Sequence, residues 1–279
     1  MKFSSYTTFF NLISTSGLEE ACASAKRLGT ECVELLDICP SYSTPLYERY
    51  TVKGISDALA HNGLTLSCYS LGANLCTPDK ENMLENVFRH VKLAAELGSP
   101  FFHHTFTLGL DATPKTAPFD KVFKEVLPLA KRIAEYVNAL GMTCLYEPQG
   151  YYFNGVDNLK RLLTEMKTSG YNVGICADTG NPLFIGSGPN EIFSHFKDDI
   201  RHVHVKDYIP CKERTDLVTL SGGYLYDCPL GEGIAEVDKC LDVLASSGYE
   251  ANISLEVVGD EPLVIRDMEY VKKRLGLYI

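Results

Sequence analysis

Basic side chains are in deficit along this chain of 279 residues: Lys and Arg number 26 against 36 Asp and Glu, a formal net charge of −10. A nucleic-acid binder draws much of its affinity from Lys and Arg on phosphates, so no nucleic-acid partner is expected. A small phosphorylated substrate stays open, because one pocket can be positive on an acidic protein. No apolar run approaches the ~18 residues that a membrane span needs, so no membrane partner is expected either. The apolar patch at 9–13 is broken by Asn11 and followed by Glu19 and Glu20, which makes a poor export signal. None of the 10 cysteines stands in a Cys-x-x-Cys pair, and Cys32, Cys68, Cys144 and Cys176 lie inside apolar runs. Buried, reduced thiols in a cytoplasmic protein are the expectation. A Gly-x-Gly-x-x-Gly turn after the first strand is also missing, which counts against a doubly wound dinucleotide fold.

What is present is a regular alternation of strand-like and helix-like segments. A loosely defined first strand is expected near 2–10, then a helix over 17–28 stopped by Gly29. Further helices are expected over 47–61, 78–97, 118–140, 156–168, 190–197, 236–246 and 262–275, several of them ending at a Gly. Short apolar runs lie between them, including Cys32-Val-Glu-Leu-Leu-Asp-Ile and Pro100-Phe-Phe-His-His-Thr-Phe. About eight strand–helix units without a composition break predict one (β/α)8 TIM barrel domain over 1–279. The longest irregular stretch, 208–233, falls between the seventh strand and its helix. A loop of that length on the functional face predicts a substrate-covering element.

Four of the apolar runs end in a polar residue: Thr143-Cys-Leu-Tyr-Glu147, Val173-Gly-Ile-Cys-Ala-Asp178, Arg201-His-Val-His204 and Asn252-Ile-Ser-Leu-Glu256. Residues two apart in a strand share a face. Leu145 with Glu147, Cys176 with Asp178, His202 with His204 and Ser254 with Glu256 therefore form one set. The other set, Tyr146, Ala177, Val203, Val205 and Leu255, is apolar enough to pack under helices. Glu147, Asp178, His204 and Glu256 thus converge at the carboxyl end of the barrel. Three carboxylates and one imidazole suit one divalent cation that prefers oxygen.

Neighbouring residues carry weaker signals. His202 lies one layer deeper and reads as a buried, satisfied histidine or as support for a ligand. Lys206 continues the inward face and can hold a substrate oxygen or phosphate, or equally pair with a carboxylate. Asp207 reads as a turn or cap residue, and Asn181 as a donor to a substrate hydroxyl. Of the adjacent pair His103 and His104 one points in and one out, and His104 is taken as the substrate contact. Tyr151 and Tyr152 are candidates for the wall of a sugar site, against a plain packing role. Glu232, between two glycines, serves the turn.

Glu147-Pro148, Asp178-Thr-Gly-Asn181, His202-Val-His204-Val-Lys-Asp207, Leu230-Gly-Glu-Gly233 and Ser254-Leu-Glu256, in this order, resemble the xylose isomerase-like barrel superfamily. Within it they look most like the sugar phosphate isomerase/epimerase branch. The resemblance implies one divalent ion (Mn, Mg, Co or Zn) on the four positions, with Glu147 and Glu256 as the acid/base pair. It implies a sugar, sugar phosphate or related polyol as substrate, and a homo-oligomer. The proton chemistry serves epimerisation, aldose–ketose isomerisation or dehydration, so a dehydratase of a keto-inositol or similar cyclic keto-polyol is the alternative. A non-catalytic metal- or sugar-binding barrel is a further one. The His and Arg that ketose 3-epimerases carry after the strand-six Asp and the strand-seven His are replaced by Asp178-Thr-Gly-Asn-Pro-Leu and Lys206-Asp-Tyr-Ile, which counts against a free-ketose 3-epimerase. The superfamily's three-zinc nucleases need more His than these 7, and position 181 is Asn.

Overall fold

The computed structural model of the protein describes residues 1–39, 44–107 and 117–277. Eight parallel strands close into a barrel: β1 (Lys2–Ser5), β2 (Cys32–Cys39), β3 (Thr65–Ala73), β4 (Phe101–His104), β5 (Thr143–Tyr146), β6 (Val173–Asp178), β7 (Ile200–Val205) and β10 (Asn252–Leu255), with β10 pairing back onto β1. The helices are α1 (Thr7–Thr15), α2 (Leu18–Leu28), α3 (Leu46–Arg49), α4 (Val52–His61), α5 (Lys80–Glu96), α6 (Phe119–Ala139), α7 (Val156–Thr168), α8 (Pro189–Phe196), α9 (Val237–Ser247) and α10 (Glu261–Arg274). This is the (β/α)8 architecture that the alternation predicts. No helix among the described residues is long and apolar enough to cross a membrane.

Strand parity partitions the interior. Tyr146, Ala177, Val203, Val205 and Leu255 are buried in the main core beneath the helices. Cys68, Leu145 and Cys176 pack with Phe101 as a separate cluster inside the barrel. The layer above them carries the polar side chains. A parallel barrel aims the carboxyl ends of its strands at one mouth, and the site lies there.

Three elements differ from the sequence expectation, one of them the helix over 47–61, which is split into α3 and α4 by extended backbone at Tyr50 and Thr51. The first strand stops at Ser5, and Thr7–Thr15 is a helix. Its Thr and Phe residues favour strand locally, yet Phe9 and Ile13, four apart, are both buried. Burial along that helical stripe outweighs the propensity. The 208–233 stretch has its own structure: β8 (Asp207–Cys211) pairs antiparallel with β9 (Tyr224–Cys228) as a hairpin over the mouth.

Asp207 anchors the return from that hairpin. Its carboxylate accepts from the backbone N–H of Gly231, Gly233 and Ala235, each at 3.0 Å, and of Tyr208 at 2.9 Å. At Gly233 a Cβ would lie 2.1 Å from Asp207 Oδ1, so only glycine lets the backbone come this close. Asp207→Ala leaves these amides without their acceptor and should cost about 2–3 kcal/mol. Urea unfolding checks this, with hydrogen exchange showing early opening of 229–235. An unchanged urea midpoint would mean that water replaces the carboxylate.

Candidate metal and substrate site

Each site residue lies at or just beyond a strand end. Glu147 follows β5, Asp178 closes β6, His204 and Lys206 continue β7, and Glu256 follows β10. His204 Nδ1 is 2.8 Å from Glu147 Oε1, 3.3 Å from Glu256 Oε2 and 3.9 Å from Asp178 Oδ2. One ligand atom from each of the four residues lies within 4.8 Å of the others. Asp178, His204 and Glu147 are buried, while the Glu256 side chain is 26% exposed and faces the opening. The structure thus brings together all four residues of the expected set.

The donor set fits a cation. Asp178 Oδ1 is held by the backbone N–H of Gly180 at 2.8 Å and of Asn181 at 2.6 Å, which aims Oδ2 inward. Asp178 Oδ2 meets the Lys206 ammonium from one side, and Glu256 Oε2 makes no hydrogen bond. Three carboxylates around one imidazole nitrogen leave lone pairs that a single ammonium does not fill and that a cation can. Cys176 is also within reach of Glu147 and His204, but burial pushes its thiol up. A protonated thiol is a poor ligand, so the oxygen-rich set of four is favoured.

Lys206 supplies local charge. Its Nζ lies 3.0 Å from Asp178 Oδ2 and 2.8 Å from Glu256 Oε1. Burial works against its charge, but Asp178 and Glu256 more than offset that and raise its pKa. The two carboxylates share this ammonium unequally. Burial pushes the Asp178 carboxyl up to about 8, with Glu256 and Glu147 adding to the shift against Lys206. Burial also acts to raise Glu256, but Lys206 and His204 pull it down to about 2. Burial and neighbouring charge thus push the two carboxylates that share Lys206 in opposite directions.

The mouth is a cavity of about 510 Å3. Glu147, Glu256, Lys206 and Asn181 line it, as does His103, and Leu36, Ile38, Leu71 and Phe184 make an apolar wall. Asp216 and Leu217, from the hairpin, complete the lining. His104 is not part of it, which corrects the choice made from sequence. Its ring packs edge-on against Phe106 and Tyr146, with centroids 5.3 and 5.5 Å apart, on the outer face under the helices. Burial lowers it to about 4, so it is a neutral packing residue. The barrel register turns His103 inward instead, with Nε2 3.5 Å from Glu147 Oε2. Ser70 donates to Glu34 and 3.0 Å away meets His103 Nδ1. The Ser70 oxygen is left to accept, so Nδ1 is the protonated nitrogen and Nε2 turns a lone pair to the cavity.

Other sequence candidates take structural parts. Tyr151 donates to Val218 O at 2.7 Å and Tyr152 to Ala117 O at 2.8 Å, so both fasten loops; Gln149 and Gly150 reach the cavity instead. Glu232 pairs with Arg266 at the surface, 2.8 Å apart. His202 is buried with Nε2 2.7 Å from Glu34 Oε2 and 2.9 Å from Ser254 Oγ. Sequence reasoning assigned no role to Glu34 or Tyr6. Tyr6 stacks on His204 with centroids 4.8 Å apart. An acidic residue in the middle of an apolar strand was the available signal for Glu34.

Residues 22–274 match the family described as xylose isomerase-like TIM barrel. Among curated proteins the chain is similar to an inosose dehydratase from Geobacillus thermodenitrificans (strain NG80-2), 25% identical over 81% of this chain and 80% of that protein. It is also similar to an inosose dehydratase from Lacticaseibacillus casei, 26% identical over 51% of this chain, a match that spans 49% of that protein. Among solved structures it resembles a D-allulose 3-epimerase from Methylomonas sp. in complex with D-allulose (TM-score 0.77, 16% identity, 98% and 97% of the two chains). It also resembles the probable 3-DHS dehydratase AsbF from Bacillus anthracis (0.75, 20%, 98% and 99%). A further likeness is to a xylose isomerase-like TIM barrel protein from Mycobacterium smegmatis in complex with magnesium (0.71, 16%, 98% and 96%).

Proposed function

Because the chain belongs to the xylose isomerase-like TIM barrel family, we propose that it is a divalent-metal-dependent isomerase or epimerase of an uncharged sugar or related polyol, with Glu147 and Glu256 as the acid/base pair. The observation that carries this is the approach of both carboxylates to one His204 nitrogen, at 2.8 and 3.3 Å, from β5 and β10, strands that two others separate in the barrel. Glu147, Asp178, His204 and Glu256 hold one Mn, Mg, Co or Zn ion. When bound, the ion polarises the substrate carbonyl. One Glu removes the proton next to that carbonyl. The other, in its protonated form, gives its own proton to the opposite face for epimerisation, or to the next carbon for isomerisation, and the pair re-equilibrates with solvent before the next turnover. Asn181 and Lys206 hold substrate hydroxyls, and His103 Nε2 accepts a further one.

Charge narrows the substrate. Among the described residues that line the cavity, Lys206 is the only Lys or Arg, and it already pairs with two carboxylates. Among the described residues a phosphate would meet Glu147, Glu256 and Asp216 and find no unpaired cation in the lining, which favours an uncharged polyol over a sugar phosphate. Leu36, Leu71 and Phe184 suit the C–H face of a ring.

A second reading, dehydration of a keto-inositol or similar cyclic keto-polyol, is favoured by the curated relatives, which are inosose dehydratases. Lys206, an ammonium beside Glu256, can donate to a departing hydroxyl there. Incubation with Mn2+ and candidate ketoses and keto-inositols in D2O tests both readings. Deuterium at the carbon next to the carbonyl, together with a new epimer or aldose, is the expected result. A product with enone absorbance selects the dehydratase. Bound Mn2+ with neither exchange nor turnover on any of these substrates sinks both, in favour of a binding barrel.

A further inference from the structure

Below the four ligands a second buried carboxylate has no part in the proposed chemistry. Glu34, on the inner face of β2, is fully buried. It accepts from the hydroxyls of Ser70 and Ser254, from His202 Nε2 at 2.7 Å, and from His204 Nε2 at 3.0 and 3.2 Å. Its partners come from β3, β7 and β10, so the group ties three other strands to β2 in the barrel interior. An ionised carboxylate without water is expensive. Here the hydroxyls of Ser70 and Ser254 and the ring nitrogens of His202 and His204 all converge on it as donors.

We propose that Glu34 is a positioning residue: its carboxylate holds the Nε2–H of His204 so that Nδ1 is the nitrogen presented to the metal. This rests on the metal site of the proposed function. A carboxylate can only accept, so Nε2 carries the hydrogen in that contact. The same rule puts a hydrogen on Nδ1 against Glu147 Oε1 at 2.8 Å in the metal-free ring; an ion bound among Glu147, Asp178 and Glu256 displaces that proton, while Glu34 keeps the one on Nε2. Tyr6 fixes the ring plane from one side by stacking at 27°. The same carboxylate, through Ser70, orients His103. One residue outside the cavity lining thus sets the directions of His204, among the candidate ligands, and of His103, which lines the cavity. A carboxylate behind a ligating histidine fixes its tautomer and raises its basicity, and losing such a partner typically costs 10–100-fold in metal affinity.

Two measurements test this. Mn2+ binding, followed by the loss of the free-ion electron paramagnetic resonance signal, is compared between wild type and Glu34→Gln, with thermal unfolding of both metal-free proteins as the control. The amide of Gln turns a donor toward this ring of donors, so the dissociation constant should rise about 10–100-fold. The second measurement needs no variant: long-range 1H–15N correlation of the histidine rings in Zn2+-loaded wild type. A slowly exchanging proton on His204 Nε2, and none on Nδ1, is expected. A Glu34→Gln constant within about two-fold of wild type while wild type binds Mn2+, or a His204 proton on Nδ1 in the loaded protein, overturns this inference alone. Uptake of two ions per chain also overturns it, since Glu34, His202 and His204 could then hold the second. Wild type that takes up no Mn2+ overturns this inference and the metal site together.

Discussion

Glu147→Gln and Glu256→Gln should each lower turnover by about 10²–10⁴-fold, the usual contribution of a positioned acid or base. Gln keeps the size of each side chain and a ligating oxygen but cannot carry the proton. Metal should still bind, more weakly, and both variants should stay folded. If each carboxylate serves one face of the substrate, the variants should differ in one respect. Each should still wash solvent deuterium into the epimer that its remaining Glu serves, while neither interconverts the two. Deuterium NMR of each pure epimer reads this directly. A variant that keeps more than about a tenth of wild-type turnover would remove that Glu from the acid/base pair.

Asp178→Ala should abolish Mn2+ uptake and, with it, turnover. Asp178 is buried, held by two backbone amides and directed at the other ligands, so no neighbour can replace it. Wild type should show a pH dependence traceable to this side chain. Its carboxyl, pushed up to about 8 by burial and by Glu256 and Glu147, ionises near ~3.9 in an unfolded chain. Between those values the folded state keeps a proton that the unfolded state has lost. This group therefore makes the metal-free fold less stable as pH rises from about 4 to about 8. Ligation requires the ionised form and expels that proton. The rise in Tm produced by a fixed Mn2+ concentration should accordingly grow between about pH 6 and pH 8, and vanish in Asp178→Ala. An equal Mn2+ shift in the variant would show that Asp178 is not a ligand, and a wild-type shift independent of pH would show that its carboxyl holds no proton for the ion to expel.

The convergence of the four candidate ligands could be read from sequence because a strand repeats every two residues. Glu147, Asp178, His204 and Glu256 sit in runs where one parity is apolar and the other ends in a polar group, and the barrel turns that parity into convergence. The same rule failed at Phe101-Phe-His-His-Thr-Phe, where rings fall on both parities. There the pairing of His103 with Ser70 and Leu145 decides which histidine faces inward. Glu34 was silent for a different reason. Its partners are 36, 168 and 220 residues away, and a lone acid in an apolar run does not name them. The helix after β1 was hidden by local strand propensity in Thr7, Thr8, Phe9 and Phe10. The hairpin was visible only as a loop of unusual length, since its strands pair with each other and leave no trace in the strand–helix rhythm.

That hairpin separates two kinds of inheritance. Asp216 and Leu217 reach the cavity from the stretch between β8 and β9, which is rooted at Asp207 and braced by Leu220 N–H on Phe184 O at 2.6 Å. The proposed acid/base and ligand residues stand at barrel strand ends whose positions the closed sheet dictates. On that reading, insertions, deletions or drift between 212 and 223 would alter the wall of the cavity while leaving those side chains where they are, so selectivity and chemistry would be free to vary separately.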